Sequence, residues 1–156
     1  MTRNTARHLA IQLSFAASAS GRSAQELAGD FFSEEHFGTL AGEDELYAEL
    51  PDEKSLNYIL RLTSLIEAHR DELDGHIARY ARGWKLERIS RTALAVLRCA
   101  ICEILYLEDV PLKAAINEAV ELDKLYDEPE TVAFVNGVLG GFARGEMGEK
   151  PDPAEE

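Results

Sequence analysis

The chain has 156 residues, 46% of them hydrophobic and 29% charged, which fits one water-soluble domain whose core needs neither disulfide nor metal. No apolar run reaches the roughly 18 residues of a membrane-spanning helix. The start lacks the basic-then-apolar order of a secretion signal, and two cysteines three positions apart make no disulfide framework, so the expected compartment is the cytoplasm. A net charge of −13 excludes a protein that holds nucleic acid through its whole surface.

The charge is unevenly spread. Residues 1–25 carry Arg3, Arg7 and Arg22 and no acid, whereas residues 26–76 carry fourteen acids and three bases. Residues 77–98 carry Arg79, Arg82, Lys85, Arg88, Arg91 and Arg98 against Glu87 alone, and the remainder is acidic again. Two basic islands in an acidic chain suit a partner of opposite sign. The competing reading is that these arginines pair with acids inside the fold.

In chain order, residues 3–19 predict a helix, because Ala6, Leu9, Ala10, Leu13, Ala16 and Ala17 recur on one face. Gly21 ends it, and Ser23 to Glu26 resembles a capping box for a second helix through about Leu40. Residues 42–53 are acidic, contain Pro51, and read mostly as loop. Residues 54–81 predict one long helix and a shorter one, with the break near Asp74-Gly75. Ile89–Leu107 is apolar nearly all round, the mark of a helix at the centre of a bundle. Asp109 is expected to cap the next helix and Pro111 to stand in its first turn, with the helix running to about 126. The last helix is expected over about 130–143. Residues 145–156, with Pro151 and Pro153, read as a disordered acidic tail after a domain spanning 1–144. No segment alternates with period two, so the fold class is all-α, a bundle of about seven helices.

Little in the chain carries chemistry. Cys99 and Cys102 have redox or zinc spacing, but they lie mid-helix among Leu97, Ile101 and Ile104 with no second ligand pair, which points to core thiols. His8, His36, His69 and His76 are scattered. Glu118, Glu121 and Asp123 lack a histidine or metal-ligand partner, and no glycine loop is placed to cradle phosphate. The expectation is no enzyme, no metal and no cofactor. The first helix says more: Arg3, Arg7, Ile11 and Phe15 are four apart and line one ridge. Guanidinium groups followed by an aromatic ring suit single-stranded RNA, although by itself the pattern is better explained by Ile11 and Phe15 packing on a second neighbour.

The C-terminal half resembles a known family. Asp109-Val-Pro-Leu-Lys113, followed by Ile116-Asn117-Glu118-Ala119 and Glu121-Leu-Asp-Lys124, looks like the signature segment of the NusB family of transcription antitermination factors, as does Phe134-Val-Asn136-Gly137-Val-Leu139. Trp84-Lys-Leu86-Glu-Arg88-Ile and Leu97-Arg98 through Glu103 resemble that family's central helix and its approach, and Ala6-Arg7, Ala10-Ile11-Gln12 and Phe15 its first helix.

The resemblance implies two packed helical subdomains. It implies binding of the boxA element of ribosomal RNA leaders, together with the ribosomal protein NusE, in an antitermination complex on RNA polymerase. Carried over by position, the RNA face comprises Arg3, Arg7, Phe15, Tyr126, Glu130 and Thr131, with Lys113 near it. Glu87, Arg88, Arg91 and Leu94 are the expected protein-partner surface. Asn4 and Thr5 stand where the family often has arginine, and Ala133 where lysine is common, which thins the cationic face. Asp123 replaces a small inward residue. Local signals make Asn136-Gly137 a turn, whereas the resemblance puts it inside the last helix. Two other readings are a protein-only adaptor that has lost RNA binding, and the helical domain of a ribosomal-RNA cytosine methyltransferase, which would need a cofactor-binding region beyond residue 156.

Overall fold

A computed structural model describes residues 1–40, 42–107 and 109–148. These form two compact units, Met1–Arg70 and the residues from Asp71 onward. Among the described residues the regular elements are eight α-helices and two 3-10 turns, with no strand. The all-α class read from the sequence therefore holds.

In the first unit, α1 (Arg3–Ser20) begins where the Thr2 hydroxyl accepts from Thr5 N at 3.1 Å. It ends at Gly21, whose φ of 73° is a left-handed conformation that costs glycine nothing. Ala6, Leu9, Ala10, Ile11, Leu13 and Ala17 are buried. They pack on α4 (Glu53–Ala68), which offers Ile59, Leu62 and Ile66. Each such Leu or Ile contributes roughly 1.5–3 kcal/mol when removed from water. α2 (Ala24–Phe31) packs against both helices. Its first amide, Ala24 N, donates to the Glu67 carboxylate of α4 at 2.5 Å, placing an acid at the positive end of the helix.

Two boundaries in this unit differ from the sequence reading. The helix expected to reach Leu40 stops at Phe31, and α3 (Glu34–Leu40) starts afresh with the Ser33 hydroxyl accepting from His36 N. The break lets Phe31, Phe32 and Phe37 gather, with ring centroids 5.0 Å and 5.9 Å apart in successive pairs. The acidic segment after it is tethered at Glu45–Tyr47, a 3-10 turn that buries Leu46. Tyr47 Oη donates to Gln12 of α1 at 2.8 Å, and the Tyr47 ring meets Phe37 edge-on.

In the second unit, α5 (Arg70–Tyr80) runs straight through Asp74-Gly75, so the break lies at His69 instead. Leu73 and Ile77 are buried on either side of the glycine, and Asp74 holds Arg98 through two hydrogen bonds of 2.7 Å and 2.9 Å. Burial and that ion pair override a local turn signal. α6 (Arg91–Tyr106) starts at Ser90, whose hydroxyl accepts from Ala93 N. It packs on α7 (Leu112–Asp123) and α8 (Pro129–Glu146), which also pack on each other.

Pro111, not Asp109, occupies the cap position of α7, and it supplies no side-chain hydrogen bond. Asn136-Gly137 lies inside α8. That helix runs to Glu146 because its carboxylate accepts from Arg79 at 2.8 Å and Tyr80 at 2.9 Å. Gly145 and Glu146, assigned to the tail from the sequence, thus belong to α8, and residues 149–156 lie outside the described residues.

Cys99 and Cys102 are buried in α6, as their neighbours predicted. Burial pushes the Cys102 thiol up to about 12, so it holds its proton at neutral pH and makes a poor nucleophile. Changing both to Ala is expected to cost about 1 kcal/mol each, the scale for one buried heavy atom. Native protein should resist thiol alkylation until it unfolds. Stoichiometric alkylation of the folded protein, or stoichiometric zinc in metal analysis, would contradict the core assignment.

Candidate nucleic-acid interface

The residues singled out on α1 do not form one open ridge. Arg3 is exposed, with its guanidinium 4.3 Å from the centre of the Tyr58 ring in a cation–π contact. Phe15 is exposed. Between them Ile11 is buried, and Arg7 is only 4% exposed, with Nη1 donating to Asn4 Oδ1 at 2.6 Å. Arg7 is thus part of the packing of α1. The reason is visible in the structure: the buried face of the helix is wide enough to include positions 7 and 11 beside the Leu9/Leu13 stripe.

In the second unit, Lys113, Tyr126 and Glu130 are exposed and Thr131 is half-buried. Tyr126, Glu130 and Thr131 cluster around the α7–α8 junction because the chain turns there within five residues, between Asp123 and Pro129. Leu125 and Tyr126 project from that turn at 67% and 44% exposure, leaving an apolar and an aromatic side chain in water beside one another. Of the expected partner surface, Glu87, Arg88 and Arg91 are exposed and Leu94 is half-buried.

The second basic island divides in two. Arg79 pairs with Glu146, and Arg98 with Asp74, so these arginines staple α5 to α8 and α6. Arg82, Lys85, Arg88 and Arg91 are exposed and make no ion pair among the described residues. The reading that the island pairs with acids inside the fold therefore holds for Arg79 and Arg98 only.

Asp123, unexplained by the sequence, is fully buried at the end of α7, and neither carboxylate oxygen finds a donor among the described residues. Burial, and the Asp127 carboxylate beside it, push its pKa up to about 8. Asp127 itself accepts from the Ser90 hydroxyl at 3.1 Å and 3.3 Å, tying the junction to the start of α6. A carboxyl raised this far keeps its proton at neutral pH, which lowers the cost of burying it without a donor.

No described group of three or more His, Cys, Asp or Glu side chains is arranged to hold a metal. No described helix is long and apolar enough to cross a membrane. What the fold and surface define is a small all-helical protein whose exposed features are unpaired cations and aromatic rings, a surface suited to association.

The chain belongs to the NusB family, whose model matches residues 4–144. It is 36% identical over 148 residues to the transcription antitermination protein NusB of Symbiobacterium thermophilum, covering 95% of this chain and 93% of that protein. It is 32% identical to the protein of the same name from Clostridium botulinum, over 92% of this chain and 99% of that one. Among solved structures, T. maritima NusB superposes with a TM-score of 0.76 at 25% identity, covering 93% of this chain and 92% of the other. A chain in the crystal structure of a plectonemic RNA supercoil shares the fold, with a TM-score of 0.74 at 20% identity, covering 96% of this chain and all of that one.

Two outcomes follow. Arg7→Glu should lower the melting temperature by several degrees, because a buried cation becomes a buried acid, at about 1–3 kcal/mol or more. Arg3→Glu, on the surface, should leave it nearly unchanged. Thermal denaturation of both variants checks this, and equal melting temperatures would return Arg7 to the open surface.

The raised pKa of Asp123 gives the second. The folded state keeps its proton up to about pH 8, while the unfolded chain releases it near the ordinary carboxyl value of 3.8. This group's contribution to stability is thus fully present below pH about 4 and is lost as pH rises towards 8. Asp123→Asn should flatten the fall of melting temperature between pH 5 and pH 8.5. Parallel curves for variant and parent would show that the proton is not held.

Proposed function

We propose that this protein is a transcription antitermination factor that binds the boxA element of ribosomal RNA leaders together with the ribosomal protein NusE, within the antitermination complex on RNA polymerase. The observation that carries the reading is the match to the NusB family across residues 4–144, with relatives named transcription antitermination protein along nearly their whole length.

The surface supports it. Arg3 and Phe15 on α1, and Lys113, Tyr126, Glu130 and Thr131 in the second unit, offer cations, rings and hydrogen-bonding groups of the kind that hold unpaired nucleotides. Arg7 serves this face from within, by fixing the start of α1 through Asn4. Glu87, Arg88, Arg91 and the half-buried Leu94 form the surface for NusE. The reading assigns no chemical step to any residue.

With Arg7 buried, few cations remain for phosphate in a chain of net charge −13. Screening over about 8 Å at physiological ionic strength softens the repulsion of a polyanion without reversing it. The protein alone should therefore bind boxA RNA weakly. Two phosphate contacts predict a slope of log affinity against log salt of about −1.4. A basic ribosomal protein adds contacts, steepens the slope and is itself drawn to the acidic surface. The experiment is boxA affinity across a salt series with and without NusE. Tight binding by the chain alone with no gain from NusE would overturn this division of labour. Binding of NusE with no boxA affinity under any condition would leave a protein-only adaptor.

A further inference from the structure

The second unit contains an open groove of about 550 Å³ that none of the residues above accounts for. One wall is Trp84, 45% exposed, braced by Phe134 with ring centroids 5.0 Å apart. The floor is α8 at Gly137, Val138 and Gly141. Tyr80 closes the far side, lying so tightly on α8 that a Cβ at Gly145 would overlap its ring, while one at Gly137 would meet nothing within 4 Å. Arg82 and Arg144 also line the groove. Both are exposed and neither makes an ion pair among the described residues. The acid at this end of α8, Glu146, is already occupied by Arg79 and Tyr80.

We propose that this groove is a nucleotide subsite, taking one base of single-stranded RNA against the Trp84 indole and its flanking phosphates on Arg82 and Arg144. The inference rests on the reading that the protein binds RNA, and it places part of that binding on side chains outside the expected RNA face. Three features select this occupant. A large aromatic face left in water is a stacking platform, and stacking tolerates any base because every base has a π-face. Two unpaired guanidinium groups beside it supply forked donors for phosphate, in a chain otherwise strongly acidic. Gly137 and Gly141 bring no side chain to the floor, which leaves room for a flat ring along the helix.

Trp84 is the sole tryptophan, so its fluorescence reports this groove alone. The probes are eight-residue oligouridine and oligoadenosine carrying a terminal dye. Anisotropy reads total binding and tryptophan emission reads stacking. Saturable quenching that tracks anisotropy is expected. Gly137→Leu should reduce affinity at least about fivefold and remove the quenching, since its side chain fills the groove from a position with free space. The double change of Arg82 and Arg144 to Ala should make the salt slope shallower by about 1.4. Circular dichroism confirms that each variant is folded.

Binding without quenching, wild-type affinity in Gly137→Leu, or no binding at millimolar RNA would each overturn the subsite. So would quenching by oligoglutamate at concentrations where RNA has no effect, which would mark a protein-docking groove. The subsite falls alone if boxA RNA still binds the complex with NusE while Trp84 is silent. The antitermination reading falls alone if oligonucleotides quench Trp84 but boxA binds no more tightly than oligouridine, with or without NusE.

Discussion

The second unit is organised by one constraint: α6 has almost no face that tolerates water. Val96, Leu97, Cys99, Ala100, Ile101 and Cys102 are six buried residues within seven positions, spanning nearly two turns, and they cannot all face one neighbour. Two helices must cover them, and α7 and α8 do so consecutively. Their short junction is thereby held at the N-terminal end of α6, where Ser90 donates to Asp127. The exposure of Leu125 and Tyr126 follows from that turn, and the outward face of α8 with its groove follows from the same packing.

The arginines show how one residue type serves two purposes within twenty positions of sequence. Arg98 is largely buried and grips Asp74 with a bidentate pair, a geometry that lysine cannot reproduce. Arg82 and Arg88 carry no such acid and remain in water. What separates them is the element that bears them: Arg98 stands on the central helix facing α5, the other two on the connection between α5 and α6. A surface of unpaired cations thus lies beside buried pairs that hold the helices together, and the net charge of −13 conceals both.

Asp123 and Arg7 are the two polar residues whose burial alters the functional picture. Asp123 places a buried carboxyl without donors among the described residues at the start of the junction that carries Tyr126. Arg7 moves from candidate ligand to structural member, which concentrates the burden of phosphate binding on fewer cations and strengthens the case for a basic protein partner.

Much was legible in the sequence, because apolar periodicity is a local property that any helix must display to be buried. The stripe of α1, its end at Gly21, the all-round apolar α6, the cap at Ser23 and the core thiols all follow from spacing and composition. The ordered motifs from Asp109 to Leu139 sufficed to suggest the family. What the sequence left undecided depends on neighbours far along the chain. Asp74-Gly75 carries turn chemistry, yet burial of Leu73 and Ile77 and the partner Arg98 make it helix. Arg3 and Arg7 are indistinguishable on a helical wheel, yet one lies over Tyr58 in water and the other is enclosed. Arg79 and Arg82 are both basic and three residues apart, yet only Arg79 reaches Glu146. The groove beneath Trp84 joins side chains from positions 80 to 145 that no local pattern connects. Helix formation is decided within a few residues, but whether a charge is paired, enclosed or left to bind something else is decided only when the helices pack.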